Sequence, residues 1–135
     1  MSFSLDARLS RDTEAIGDLP LCRVLLMNDS RWPWLILVPR RANLVELTDL
    51  DAADRARLIQ EAAQTADWLN ANAKAEKINL GALGNIVRQL HVHVVARSAA
   101  DPAWPGPVWG FGAAVRHEDN GIRAMIAAAR AGLGV

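Results

Sequence analysis

The sequence predicts an α+β fold, and three observations predict it. Two dense aliphatic runs, residues 21–27 and 34–38, flank a short turn. A long alanine-rich stretch follows that holds neither glycine nor proline. A segment near residue 90 alternates polar and aliphatic side chains. In chain order, residues 1–12 are polar and mixed, compatible with a short helix. Pro20 breaks the chain before Leu21-Cys22-Arg23-Val24-Leu25-Leu26-Met27, which reads as a strand. Asn28-Asp29-Ser30-Arg31 is turn chemistry. Trp34-Leu35-Ile36-Leu37-Val38 is a second strand stopped by Pro39, so the two runs form an antiparallel hairpin.

Thr48 or Asp49 is expected to cap the next helix. From Ala52 to Ala73 alanine is frequent, and Leu58, Ile59, Ala62, Ala66 and Leu69 recur at helical spacing as an apolar stripe. Arg55, Arg57, Gln60, Glu61, Gln64 and Asp67 fall mostly elsewhere on the helix. Residues 77–83 read as a third strand, and Gly84-Asn85 as a tight turn or bulge. A proline-, glycine- and tryptophan-rich loop spans 98–112. Residues 113–133 are alanine-rich and helical over 122–131, with Gly121 weakening the start.

Between the turn and the loop lies Gln89-Leu90-His91-Val92-His93-Val94-Val95-Ala96-Arg97. Period two sends Gln89, His91 and His93 to one face and Leu90, Val92 and Val94 to the other. Like neighbours stand about 6–7 Å apart by strand rise. An aliphatic face anchors the strand, and the opposite face holds two imidazoles side by side.

Composition narrows the function. Fifteen basic residues balance fifteen acidic ones, and no basic stripe stands out, so nucleic acid is not expected as a partner. A charged substrate must be held locally, by backbone amides and a few polar side chains. The single cysteine, Cys22, excludes an internal disulfide and fits a reducing cytosol. It reads as a small core residue. No apolar run reaches the roughly 18 residues a membrane span needs, and residues 1–12 lack a signal-peptide core. The expectation is a cytoplasmic protein that does not enter membranes. Five tryptophans without a tyrosine suit pocket walls, a subunit interface or simple packing.

The histidine strand admits three readings. A His-x-His pair on a strand can share a zinc ion, but no cysteine lies near and the strand offers no carboxylate, so no metal site is assigned. Both rings can be plain polar residues on a solvated sheet face. The convergence of an amide, two histidines and an upstream Gly-Asn turn weighs against that reading. The third is nucleophilic. A neutral imidazole, with a reference pKa of about 6.5, attacks phosphorus near neutral pH and forms a phosphohistidine-type intermediate. Gln89 and His93 then hydrogen-bond the non-bridging oxygens, and amides at the Gly84 turn add further donors.

The segment Gln89-Leu90-His91-Val92-His93-Val94-Val95 resembles the signature of the histidine triad superfamily, His-φ-His-φ-His-φ-φ with φ aliphatic; Gln89 stands in the first position. The resemblance extends to Asn79, Gly84 and Asn85, to Leu37-Val38-Pro39-Arg40-Arg41, to the long helix and to Trp104-Pro105. It covers most of residues 15–112. It implies a HIT-like fold, an antiparallel sheet of about five strands with a long central helix and a carboxy-terminal helix. This would be a single domain over 1–135, with its core at about 15–112 and a helical extension at 113–135.

The resemblance also implies the chemistry. His91 attacks the α-phosphate of a nucleotide conjugate, a covalent nucleotidyl-histidine forms, and water releases the mononucleotide. Phosphoramidates and dinucleoside polyphosphates are the substrate types implied. His93 contacts phosphate oxygens and the leaving-group region. Gln89 donates a hydrogen bond but cannot carry a proton. Asn79, Asn85 and Gly84 serve the phosphate. Leu26, Met27 and Trp34 line the nucleoside cleft, with Asn28 or Asp29 on the ribose hydroxyls. No cofactor or metal enters this scheme, and a homodimer is implied. Because of Gln89, the alternative is a catalytically weak nucleotide-binding or partner-binding module. His117 is read as a solvent-facing residue before the last helix.

Overall fold

The computed structural model describes residues 2–135. The chain forms α1 (Ala7–Asp12), β1 (Thr13–Asp18), β2 (Cys22–Met27), β3 (Trp34–Pro39), a 3-10 turn (Leu47–Asp49), α2 (Ala52–Ala73), β4 (Lys77–Gly81), β5 (Val92–Arg97) and α3 (Asp119–Leu133). The five strands make one antiparallel sheet in the order β1-β2-β3-β5-β4. The expected fold class is therefore the observed one.

Every residue of β3 is buried. This central strand is covered on both faces, which is why it reads as a continuous apolar run rather than an alternating one. Leu35 and Leu37 join Val24, Leu26, Val94 and the inner faces of α2 and α3 in one core. Trp34, Ile36 and Val38 join Leu9, Leu25, Trp32, Val95 and Val108 in a second core on the opposite face. Phe3 and Leu5 of the amino-terminal segment pack against that second core. The sheet thus has a helical face and a face covered by the amino-terminal arm and the loop before α3.

Several boundaries differ from expectation. β1 was not foreseen. Its residues Glu14, Gly17 and Asp18 are weak strand formers, and a register shift between Ala15 and Gly17 breaks its alternation. Pairing with β2 and a hydrogen bond from Arg130 Nε to the Ile16 carbonyl (2.8 Å) hold it at the edge. Thr48 and Asp49 lie in the 3-10 turn, and Asp51 caps α2 by accepting the Asp54 N–H at 2.8 Å.

In α2 the expected apolar stripe holds at Leu58, Ala62, Ala66 and Leu69, which pack in the helical-face core, but not at Ile59. Ile59 is 63% exposed, whereas Glu61 is buried and accepts the N–H groups of Leu21 (2.9 Å) and Cys22 (2.7 Å). Glu61 thereby satisfies two amides where the chain enters β2. Cys22 is a buried free thiol; burial, with Glu61 beside it, pushes its pKa well above the ordinary value. Among the described residues no helix is long and apolar enough to cross a membrane.

Candidate active site

β5 lies between β3 and β4, and its register places His93 opposite Ile36 on one side and Gly81 on the other. β4 ends at Gly81 and β5 begins at Val92, so residues 82–91 form an irregular connection and His91 stands one residue before the ladder. The expected alternation survives this break. Val92 and Val94 join the helical-face core, while His91 and His93 lie on the opposite face. Both histidines are 6% exposed, with ring centroids 4.9 Å apart at 65°.

The hydrogen bonds define the two rings differently. His91 Nδ1 lies 2.6 Å from the Gln89 carbonyl. A carbonyl only accepts, so Nδ1 carries the hydrogen, and in the neutral ring Nε2 keeps its lone pair. His93 Nδ1 instead accepts the indole N–H of Trp34 at 3.0 Å, which leaves Nε2 of the neutral ring as the N–H. Burial, and secondarily the neighbouring His91, drives the His93 pKa down to about 3. The two rings therefore differ at Nδ1, a donor in His91 and an acceptor in His93.

Both rings line a cavity of about 450 Å³. Trp34, Trp109 and Phe111 supply aromatic walls, and Met27, Ile36 and Val108 aliphatic ones. Trp109 stands edge-on to His93 with centroids 5.5 Å apart. Gly81 allows this approach, because a Cβ there would sit 2.8 Å from the Trp109 ring. Asp29 is 2% exposed and pairs with Arg31 at 2.8 Å. Burial alone would raise its pKa, but hydrogen bonds from Arg31 and Val115 hold it below the usual carboxylate value. A second cavity, of about 470 Å³, lies beside α2 and β4 and shares His91, Gly84 and Asn85 with the first.

Of the residues expected at a nucleotide site, His91, His93, Gly84, Asn85, Met27, Asp29 and Trp34 line the histidine cavity. Gly84 has φ of +68°, the left-handed geometry its turn requires. Four others lie elsewhere. Gln89, expected on phosphate oxygens, binds the amino-terminal arm instead: its Oε1 accepts the Asp6 N–H and its Nε2 donates to the Ser4 carbonyl, both at 2.8 Å. Asn79 accepts from Arg97 Nη1 at 2.8 Å in a buried network with Asp101, outside the cavity. Leu26 points to the helical-face core, because even and odd positions of β2 face opposite sides. Asn28 accepts the His117 N–H at 2.8 Å. His117 is not wholly solvent-facing, since its Nε2 is buried.

Sequence reasoning missed Trp109, Phe111 and Arg31, and it missed Arg8 and Leu9 of the arm, all of which line the cavity. The tryptophan signal was present in the 98–112 loop, but Trp104, the one singled out there, is 38% exposed and lies under Arg97.

The model of the HIT domain family matches residues 8–100. Among solved structures, a histidine triad protein from Sinorhizobium meliloti is 54% identical, with 96% of each chain covered and a TM-score of 0.94. One from Bradyrhizobium japonicum is 44% identical, covering 98% of this chain and 99% of its own, with a TM-score of 0.96. One from Marinobacter aquaeolei is 40% identical, covering 99% and 98%, with a TM-score of 0.97. A search of the curated proteins returned no match.

Proposed function

This chain belongs to the HIT domain family, and from that premise we propose that it is a nucleotide-conjugate hydrolase or nucleotidyl transferase acting at an α-phosphate. The observation that carries this reading is the pair of adjacent rings in one cavity whose Nδ1 atoms play opposite parts, donating to the Gln89 carbonyl in His91 and accepting from Trp34 in His93. His91 Nε2 supplies the lone pair that attacks phosphorus. The P–O or P–N bond to the leaving group breaks, and the leaving group departs with the bonding pair, taking a proton from solvent where it needs one. The nucleotide is held on His91 until a water oxygen bonds phosphorus, its proton passes to solvent and the P–N bond to His91 breaks. The His93 Nε2–H donates to a non-bridging oxygen as charge builds there. The backbone turn at Gly84-Asn85 supports the phosphate. In this reading Trp34, Met27 and Trp109 enclose the base, and Asp29, which lines the same cavity, is assigned to the ribose hydroxyls. The scheme uses no metal.

The reading includes a homodimer. β4 is an edge strand, and Ile59, Leu80 and Leu83 are exposed beside it. A second copy there would pair the edge and cover the apolar side chains. Sedimentation of the wild type and of Leu80→Asp tests this.

The function is tested by a screen of adenosine and guanosine phosphoramidates and dinucleoside polyphosphates with product identification. Release of a mononucleoside monophosphate supports it. Tight binding without product would instead favour a catalytically weak binding module, and neither binding nor product would refute both readings.

A further inference from the structure

The amino-terminal arm crosses the functional face of the sheet and is fastened at named points. Phe3 lies against the guanidinium of Arg23, 5.4 Å from ring centroid to Cζ. Gln89 grips Ser4 and Asp6 through both ends of its side-chain amide. Beyond that grip, Arg8 reaches the Ile86 carbonyl with Nη1 at 3.2 Å, and Leu9 is buried in the second core. Arg8, Leu9 and Ile86 all line the cavity that holds His91 and His93.

Arg8 also binds Asp6 through Nε (3.2 Å) and Nη2 (3.0 Å). A guanidinium has five N–H donors, so these three bonds leave two uncommitted. Asp6 is itself engaged by the Arg8 backbone N–H. Arg31, the other cavity arginine, directs Nε and Nη2 to Asp29 and Nη1 to the Phe111 carbonyl. Arg31 is thus tied to a buried carboxylate, whereas the Arg8 side chain is 46% exposed.

Taking the hydrolase reading as its basis, we propose that Gln89 is a positioning residue that latches the arm, and that the latched arm offers Arg8 to an anionic group of the substrate beyond the phosphate attacked by His91. An amide suits this role because one planar group accepts from the Asp6 N–H while donating to the Ser4 carbonyl. The substrate class that exploits Arg8 is one whose leaving group is itself a phosphate, as in a dinucleoside polyphosphate.

The test compares Arg8→Ala and Gln89→Ala with wild type on a dinucleoside polyphosphate and on a phosphoramidate with an uncharged leaving group. The ratio of kcat/KM values, polyphosphate over phosphoramidate, is expected to fall about tenfold in both variants, mainly through KM, the scale of one charge-assisted hydrogen bond. The double variant should lose little more than either single one. Amide hydrogen exchange reads the latch without turnover: in Gln89→Ala the Asp6 amide should exchange at least tenfold faster. Unchanged exchange overturns the latch. An unchanged ratio, or equal losses on both substrates, overturns the Arg8 role. If the wild type turns over neither substrate, ADP and AMP titrations replace kinetics: Arg8→Ala should weaken ADP about tenfold relative to AMP, and equal effects refute it. Wild type that binds neither nucleotide overturns the Arg8 role together with the hydrolase reading, while exchange still decides the latch.

Discussion

The indole N–H of Trp34 donates to Nδ1 of His93 at 3.0 Å, joining neighbouring strands of the sheet. This bond decides which nitrogen of His93 carries hydrogen. Trp34→Phe keeps an aromatic ring in the cavity wall and removes the donor together with part of the indole ring. A net hydrogen bond is worth about 1 kcal/mol, so kcat should fall roughly five- to tenfold and the melting temperature should drop by a few degrees. Nitrogen-15 chemical shifts of the His93 ring should move from one tautomer to a mixture. Unchanged shifts would separate Trp34 from the orientation of His93.

Acid sensitivity follows from the same ring. Its folded pKa is about 3, while an unfolded histidine titrates near 6.5. Between those values the unfolded chain binds a proton that the native chain does not. Stability is therefore greatest above about pH 6.5 and falls on acidification through this window, by up to about 1.4 kcal/mol per pH unit from this one group. Denaturant midpoints of wild type and His93→Asn from pH 4 to 7 check this. The slope should flatten in the variant. The carboxylates held low, such as Asp29 and Asp18, act only below about pH 4.

Gly132→Ala gives a sign test. Alanine is the better helix former by about 1 kcal/mol, so propensity alone predicts stabilisation. A Cβ at residue 132, however, would lie 1.8 Å from Trp68 Nε1. Overpacking of this kind costs about 1–3 kcal/mol. The expected result is a lower melting temperature, and Trp68→Ala in the same chain should remove most of the clash.

Gly81→Ala drives a methyl group into the Trp109 ring. Affinity for a nucleoside monophosphate should drop several-fold, because the aromatic wall must shift. Pairing the change with Trp109→Leu should give a strongly non-additive cycle. Additive losses would mean that the ring does not need the space glycine leaves.

The extent to which the sequence disclosed this site has physical reasons. His91 and His93 were legible because a period of two needs no knowledge of the partner strands. The hairpin of β2 and β3 was legible because its apolar runs are dense and its turn is short. β1 was not, since an edge strand with Glu14, Gly17 and Asp18 is held by its neighbours rather than by its own propensity. Glu61 looked like a solvated residue because the amides it satisfies lie 39 and 40 positions away. The same holds for Gln89, whose partners in the arm are 85 and 83 positions distant. In the 98–112 loop no periodicity ranks one tryptophan over another, so Trp109 could not be preferred to Trp104.

The most direct measurement is intact-protein and peptide mass spectrometry after brief mixing with a nucleoside phosphoramidate and acid-free quenching. The account predicts a nucleotidyl adduct confined to the peptide containing His91. It should be absent in His91→Ala and longer-lived when water attack is slowed. Steady release of monophosphate with no adduct on His91, or undiminished turnover by His91→Ala, would contradict it.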